Sequence, residues 1–437
     1  MSDDSDQPTD RKESGQPVRL LHYADLESVY DHPERVGRLA GCIDDRRGDD
    51  ALVLGSGDTT ALCSLSFCSD DGRGVAREFF EAVRPDADTF GNHDLDHGPD
   101  WLADFAASTP PRWLCANVED FPGDVAESEV FEVDGRRVGV VGLAHPDTAS
   151  LSYAVDCAFE DPVAAAREAA AACRERGAEY VVICSHAGAT DAEVARNVDA
   201  DVILGGHDHE RVTERVDGTL LVRRPAGAHL VEVELGGEPT VEDLDVAGAP
   251  VDESVADAYR ARRDRLGLDE VVARLGEPLD RPSVAGFVTD AYREVAGADV
   301  GLAFEASVRR RLEGQVTTAD VIGVAPFGSD LVELRVPGRD LREALLAGRT
   351  AVDDTHGRLV SGGATVRDET VFVGGERLES DREYDVAAMS YLSHADVLSA
   401  FARDRVVASH GPQHEALLAH ARDGGLDVAR EGRLRSR

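Results

Sequence analysis

The chain has 437 residues, with 46 basic against 85 acidic side chains and a formal net charge of −39. Such a charge repels phosphate backbones and anionic membrane surfaces, which disfavours nucleic-acid and membrane-surface roles. Lys12 is the sole lysine and every other basic residue is arginine, a composition that suits a halophilic protein kept solvated in high salt.

The length predicts two or three domains with a sizeable core. Cysteines stand at 42, 63, 68, 115, 157, 173 and 184, an odd number without a CxxC pair. They read as free thiols, mostly buried, in a reducing compartment. Residues 1–16 read as a disordered acidic tail, not an export signal. No run approaches 18 apolar residues, so no membrane span is expected and a cytoplasmic location is.

Taken in order, Val18–Asp25 reads as a buried strand, followed by a helix-like stretch from about Pro33. Ala51–Asp58 is a second strand, and Gly72–Arg84 looks helical. The polar turn Gly91-Asn92-His93-Asp94-Leu95-Asp96 then follows a short run ending at Phe90. Trp113–Val118 is a further short run. Val130–Val133 and Arg137–Leu143 form a hairpin, because Asp134-Gly135 favours a tight turn. Pro162–Arg176 is an alanine-rich helix. Tyr180–Cys184 and Asp201–Leu204 are strands ending in Ser185-His186-Ala187-Gly188 and Gly205-Gly206-His207-Asp208-His209. Two more strands, near Leu220–Arg223 and His229–Leu235, close a layered α/β region at 17–247. Residues 248–280 read as a charged, helical connector centred on Val255–Leu275. A second α/β or α+β pattern begins near Arg281, and the chain ends on a frayed, arginine-rich tail.

The polar residues fall at strand ends. Asp25 and Glu27 follow the first strand, Asp58 ends the second, and Asn92 and His93 follow the third. His186 follows a fourth, and His207 and His209 a fifth. Sites in α/β sheets form beyond the carboxyl ends of strands. Asp25, Glu27, Asp58, Asn92, His186, His207 and His209 are too many ligands for one tetrahedral ion, and they suit two divalent cations bridged by one carboxylate, with Asp58 as the bridge. His93 is left for charge stabilisation or protonation of a leaving group, with Asp96 to orient and charge its imidazole. His22, at a strand start, reads as a core histidine.

These blocks resemble the 5′-nucleotidase family of the calcineurin-like metallophosphoesterases, which includes bacterial periplasmic UDP-sugar hydrolases and animal ecto-5′-nucleotidases. LLHYADLE is similar to the family's LHTNDxH opening, SGDTTALCSLS to its GDxxxGxxLS, GNHDLDHG to its GNHEFDxG, SHAG to its THxG and GGHDH to its GGHSH. The resemblance covers about residues 18–418. It implies a four-layer α/β/β/α metallophosphoesterase domain followed by a smaller α+β substrate-binding domain over 281–437. It also implies Asp25, Asp58, Asn92, His186, His207 and His209 as metal ligands and His93 with Asp96 as a catalytic dyad. Where the family's first motif ends in a histidine ligand, this chain has Glu27, and Ala24 replaces an asparagine. Glu27 either binds metal, shifting preference towards Mn²⁺ or Mg²⁺ over Zn²⁺, or faces solvent and leaves one ion weakly held.

In the second region Arg281–Asp290 resembles the segment that opens the family's C-terminal domain, and Ala325-Pro326-Phe327-Gly328-Ser329 resembles its PFGN. Gly301–Arg309 falls where the family has a glycine-rich loop, and only Val308-Arg309 matches. Phe327 and Tyr391 either sandwich a flat base or are core aromatics. Arg281 and Arg309 are candidates for phosphate or ribose oxygens, and Asp396 for ribose hydroxyls. The activity expected is hydrolysis of nucleoside 5′-monophosphates, small molecules bound without nucleic acid or membrane. The alternatives are a phosphodiesterase or pyrophosphatase acting on 2′,3′-cyclic nucleotides or nucleotide sugars, and a non-catalytic nucleotide-binding protein.

Overall fold

A computed structural model describes residues 17–60, 62–68, 74–152, 156–352, 356–393 and 398–426. The acidic tail, Asp396 and the arginine-rich end lie outside them.

Apolar residues on both faces of the strands dictate a buried sheet with cover on each side. Two six-stranded sheets result. The first runs Thr240–Asp243, Val231–Leu235, Val18–Tyr23, Ala51–Gly55, Ala87–Thr89, Arg112–Leu114. The second runs Val212–Val216, Thr219–Arg223, Val202–Gly205, Tyr180–Ser185, Arg136–Leu143, Ser128–Val133. Leu20, Leu52 and Leu54 face Val138, Val140, Val182 and Leu204 between the sheets. Leu21 and Val53, one residue out of phase, point instead to Leu39, Ile43 and Phe79 in the helices outside the first sheet. Val181, Ile183 and Ile203 likewise meet Ala166, Ala170 and Val194 outside the second. The period-two alternation therefore yields four layers, α/β/β/α. The hairpin forms as read: Asp134 and Gly135 both take positive φ, +46° and +74°, as its two-residue turn requires.

Two strands of these sheets escaped the sequence reading. Val212–Val216 and Thr240–Asp243 are edge strands with mostly exposed side chains, so neither carries an apolar pattern. Residues 248–280 need one correction. Glu253–Arg265 is a helix, but Gly267 turns the chain at φ +62°, and Val271–Arg274 is a strand antiparallel to Gln315–Thr317. The helix is anchored to the first domain: Tyr259 stacks on Tyr30 at 5.4 Å and its hydroxyl donates to the Val75 carbonyl.

The smaller C-terminal domain has a five-stranded sheet in the order Leu359–Gly362, Val300–Phe304, Glu383–Met389, Asp330–Pro337, Val406–Pro412. The helix Arg281–Ala296 lies on one face. Asp280 caps it by accepting from Ser283 N, proline stands in its first turn, and Gly297 ends it in the left-handed region. Its Phe287, Val288 and Tyr292 are fully buried, each such burial stabilising by roughly 1.5–3 kcal/mol.

Candidate metal and phosphate site

The loops after the parallel strands Val18–Tyr23, Ala51–Gly55, Ala87–Thr89, Tyr180–Ser185 and Val202–Gly205 open onto one edge of the sandwich. Asp25, Glu27, Asp58, His207 and His209 all adopt positive φ, between +41° and +75°. Non-glycine residues held there cost roughly 1–3 kcal/mol each. Only tightly over-determined loops sustain that, and the hydrogen bonds account for it. Asp94, fully buried, accepts from the backbone N–H groups of Asp58, Thr60 and Gly91 at 2.8–2.9 Å. Asp58 in turn accepts from His93 N. A Cβ on Gly91 would lie 2.0 Å from Asp58 Oδ1, so that position tolerates only glycine.

Asp25, Asp58 and His186 converge, one ligand atom of each lying within 4.8 Å of the others. His186 Nδ1 donates to the Ser56 carbonyl at 2.7 Å. That fixes the tautomer, so in the neutral ring Nε2 presents its lone pair 3.1 Å from Asp58. His209 Nε2 lies 3.4 Å from Asp25 and 3.2 Å from Glu27, so Glu27 turns into the cluster and not to solvent. His207 Nδ1 meets Asn92 Oδ1 at 3.0 Å. Asp25 Oδ2, Glu27 Oε1 and His186 Nε2 are buried and have no hydrogen-bond partner. Buried polar atoms are nearly always satisfied, and orphaned carboxylate and imidazole atoms in and beside the Asp25–Asp58–His186 cluster fit cations held there.

The electrostatics agree. Burial works against protonation of His186, yet Asp58 and Asp25 raise its pKa to about 10. His209 is likewise raised to about 10 against burial by Asp25 and Glu27. His207 goes the other way, to about 2, through burial and the neighbouring His186 and His145. Burial pushes Asp25 up. Burial acts on Asp58 in the same sense, but the adjacent His186 and His93 hold it well below the ordinary range. Three carboxylates packed together demand positive charge, which a divalent cation supplies in place of protons.

His93 stands beside the cluster, its Nδ1 2.9 Å from Asp96 Oδ2. Opposite it is the C-terminal domain. Phe327 lies 6.1 Å from His93 ring to ring, and the Arg309 guanidinium sits 5.5 Å over Phe327. Tyr391 is held by His356, whose Nε2 is 2.9 Å from its hydroxyl. Together these residues line a cleft of about 410 Å³ between the domains. Arg281 does not line it; its Nε donates to the Val308 carbonyl at 2.9 Å and so holds the Arg309 loop. His22 is buried and bonded to Ser56 Oγ, as a core histidine. Sequence reasoning missed His145, which lies 4.5 Å from His207 and lines the cleft. Its signal was available, since it follows the strand Arg136–Leu143 as the other site residues follow theirs. His356 and Gln413 gave no such signal. Gln413 is fully buried and donates to the Phe327 carbonyl at 3.0 Å, fixing the loop that carries the ring.

This fold and edge-on cluster define the metal-dependent phosphoesterases, and comparison with known proteins agrees. Residues 18–211 match the calcineurin-like phosphoesterase model and residues 272–403 the 5′-nucleotidase C-terminal domain. The chain belongs to the calcineurin-like phosphoesterases that carry this second domain, a family of phosphoric ester hydrolases that use divalent metals. A Lutzomyia longipalpis protein is 26% identical over 382 residues, 71% of this chain and 66% of that protein. An apyrase of Anopheles gambiae is 26% identical over 396 residues, 73% of this chain and 69% of its own. The chain thus spans about two thirds of the length of these relatives. The crystal structure of a 5′-nucleotidase precursor from Thermus thermophilus superposes with a TM-score of 0.78 at 24% identity, covering 94% of this chain and 97% of that one. No helix among the described residues is long and apolar enough to cross a membrane.

Proposed function

We propose that the protein hydrolyses nucleoside 5′-monophosphates to nucleoside and phosphate. The observation that carries this reading is the cleft itself. It presents the ligand cluster and His93 on one wall and Arg309, Phe327 and Tyr391 on the other, which suits a substrate with a phosphate at one end and a flat ring at the other. Asp25, Glu27, Asp58, Asn92, His186, His207 and His209 would hold two divalent cations, with Mn²⁺ or Mg²⁺ favoured by the three carboxylates and Zn²⁺ less suited. The chemistry such cations would supply there is polarisation of the phosphoryl group and acidification of a water.

The chain's own residues do the rest. Asp58 keeps its charge, and His186 presents Nε2 because Ser56 occupies Nδ1. Asp96 accepts from His93 Nδ1 and, against burial, favours the protonated ring, whose Nε2–H can then be given to the departing ribose oxygen. Arg309 places its charge over Phe327 and beside the phosphate. Phe327 and Tyr391 grip the base, and Arg281 acts on the substrate through the loop of Arg309. The domain division at 17–247 and 281–437 belongs to the same reading, with the Tyr259 helix joining the two.

The test is phosphate release from AMP, GMP, IMP, UMP, ATP, 2′,3′-cyclic AMP, UDP-glucose and p-nitrophenyl phosphate with Mn²⁺, Mg²⁺ or Zn²⁺, a coupled phosphatase being added for the diesters. Selective turnover of monophosphates is expected; turnover confined to diesters or nucleotide sugars would keep the metals and replace the substrate. A cytoplasmic, high-salt setting is part of the proposal, supported by seven free cysteines and the charge of −39. Activity is expected to rise with KCl into the molar range, and an optimum at low salt would refute it.

A further inference from the structure

The loops that carry His186 and His207–His209 leave adjacent parallel strands, and a third parallel strand, Thr219–Arg223, ends beside them. Arg223 is its last residue. The guanidinium is buried, with 5% side-chain exposure. It donates to Asp191 Oδ2 at 2.8 Å, to Asp208 Oδ2 at 2.7 Å and to the Gly188 carbonyl at 2.6 Å. Asp191 is fully buried and also accepts from the Ser185 hydroxyl. Asp208 sits between His207 and His209, and Gly188 stands two residues after His186. The loops are in contact: a Cβ on Gly188 would lie 2.9 Å from both Asp208 Oδ1 and His207 Cδ2. One buried cation therefore ties together two loops that present three imidazoles.

A guanidinium fork binds two carboxylates in fixed geometry. A buried ion group of this kind adds little net stability, so its value here lies in geometry. By charge alone, a positive group beside a cation site would weaken metal binding, which gives the alternative the opposite sign.

We propose that Arg223, acting through Asp208 and the Gly188 carbonyl, is a positioning residue that sets the spacing of His186 from His207 and His209 and hence the divalent-cation affinity. This rests on the metal reading above. The experiment is calorimetric titration of Mn²⁺ into the metal-stripped full chain in high KCl, with the unfolding midpoint of the metal-free protein measured alongside. The variants are Asp208→Asn, Arg223→Lys, Arg223→Met and the Arg223→Met/Asp208→Asn double variant. Asp208→Asn leaves no unpaired buried charge and keeps the Arg223–Asp191 pair. It is expected to weaken Mn²⁺ binding about tenfold with little change in the midpoint, and Arg223→Met by about 10–100-fold, the range for groups that orient metal ligands. The double variant is expected to lose less than the sum, and Arg223→Lys to recover part of the affinity. Unchanged affinity in Asp208→Asn, or tighter binding in Arg223→Met, would overturn the proposal. Absence of Mn²⁺ binding by the unaltered chain would instead overturn the metal reading itself.

Discussion

The two walls of the cleft are built by different means. On the sandwich side, Asp25, Glu27, Asp58, His207 and His209 sit on left-handed backbone, held by buried hydrogen bonds such as those to Asp94. Buried atoms of Asp25, Glu27 and His186 are left there without hydrogen-bond partners. On the C-terminal side, Phe327 and Tyr391 are half-buried rings resting on the apolar core. They are placed by Gln413 and His356 through ordinary hydrogen bonds. The first wall is rigid and chemically specified, so small changes there should abolish turnover. The second is a packed surface, so changes there should alter which substrate is held and leave the chemistry in place.

The largest effect separating the walls is expected from His93→Ala. Loss of a proton donor costs about 10²–10⁴-fold in kcat, with metal content by elemental analysis unchanged; a parallel loss of metal would make His93 a ligand. Next, Glu27→Gln removes one carboxylate from the cluster. The Mn²⁺ concentration needed for half-maximal activity is expected to rise about tenfold, the lower end for altered metal sites, while kcat at saturating Mn²⁺ is retained. An unchanged Mn²⁺ requirement would place Glu27 outside the ligand set. The smallest effect is expected from Phe327→Ala. Removing an aromatic partner worth about 0.5–1.5 kcal/mol raises KM for a nucleotide about 2–10-fold and leaves p-nitrophenyl phosphate untouched. Equal losses on both substrates would mean that the second wall supports the chemistry as well, and the contrast between the walls would fail.

The arginine-rich, acidic composition is written in the chain, as are most strands of the sandwich, its two longest helices and the placement of polar residues at strand ends. These features are local. An apolar run fixes a strand, a glycine fixes a turn, and ligands such as His186 or Asn92 follow within a few positions. The edge strands Val212–Val216 and Thr240–Asp243 were not legible, because their exposed side chains carry no apolar period. Val271–Arg274 was hidden by the helical pattern before it.

Only the tertiary structure decided the rest. Glu27 turns inward because the His209 loop, from a distant strand, closes over it. Arg281 leaves the cleft because the Val308 carbonyl takes its guanidinium. His145, His356, Gln413 and Arg223 acquire partners far off in the chain; Arg223 and Asp208 are 15 residues apart, and Gln413 and Ala325 are 88 apart. Spacing along a sequence records what a turn or strand needs of its own residues. It does not record which side chains meet when two sheets and a second domain pack around a shared cleft.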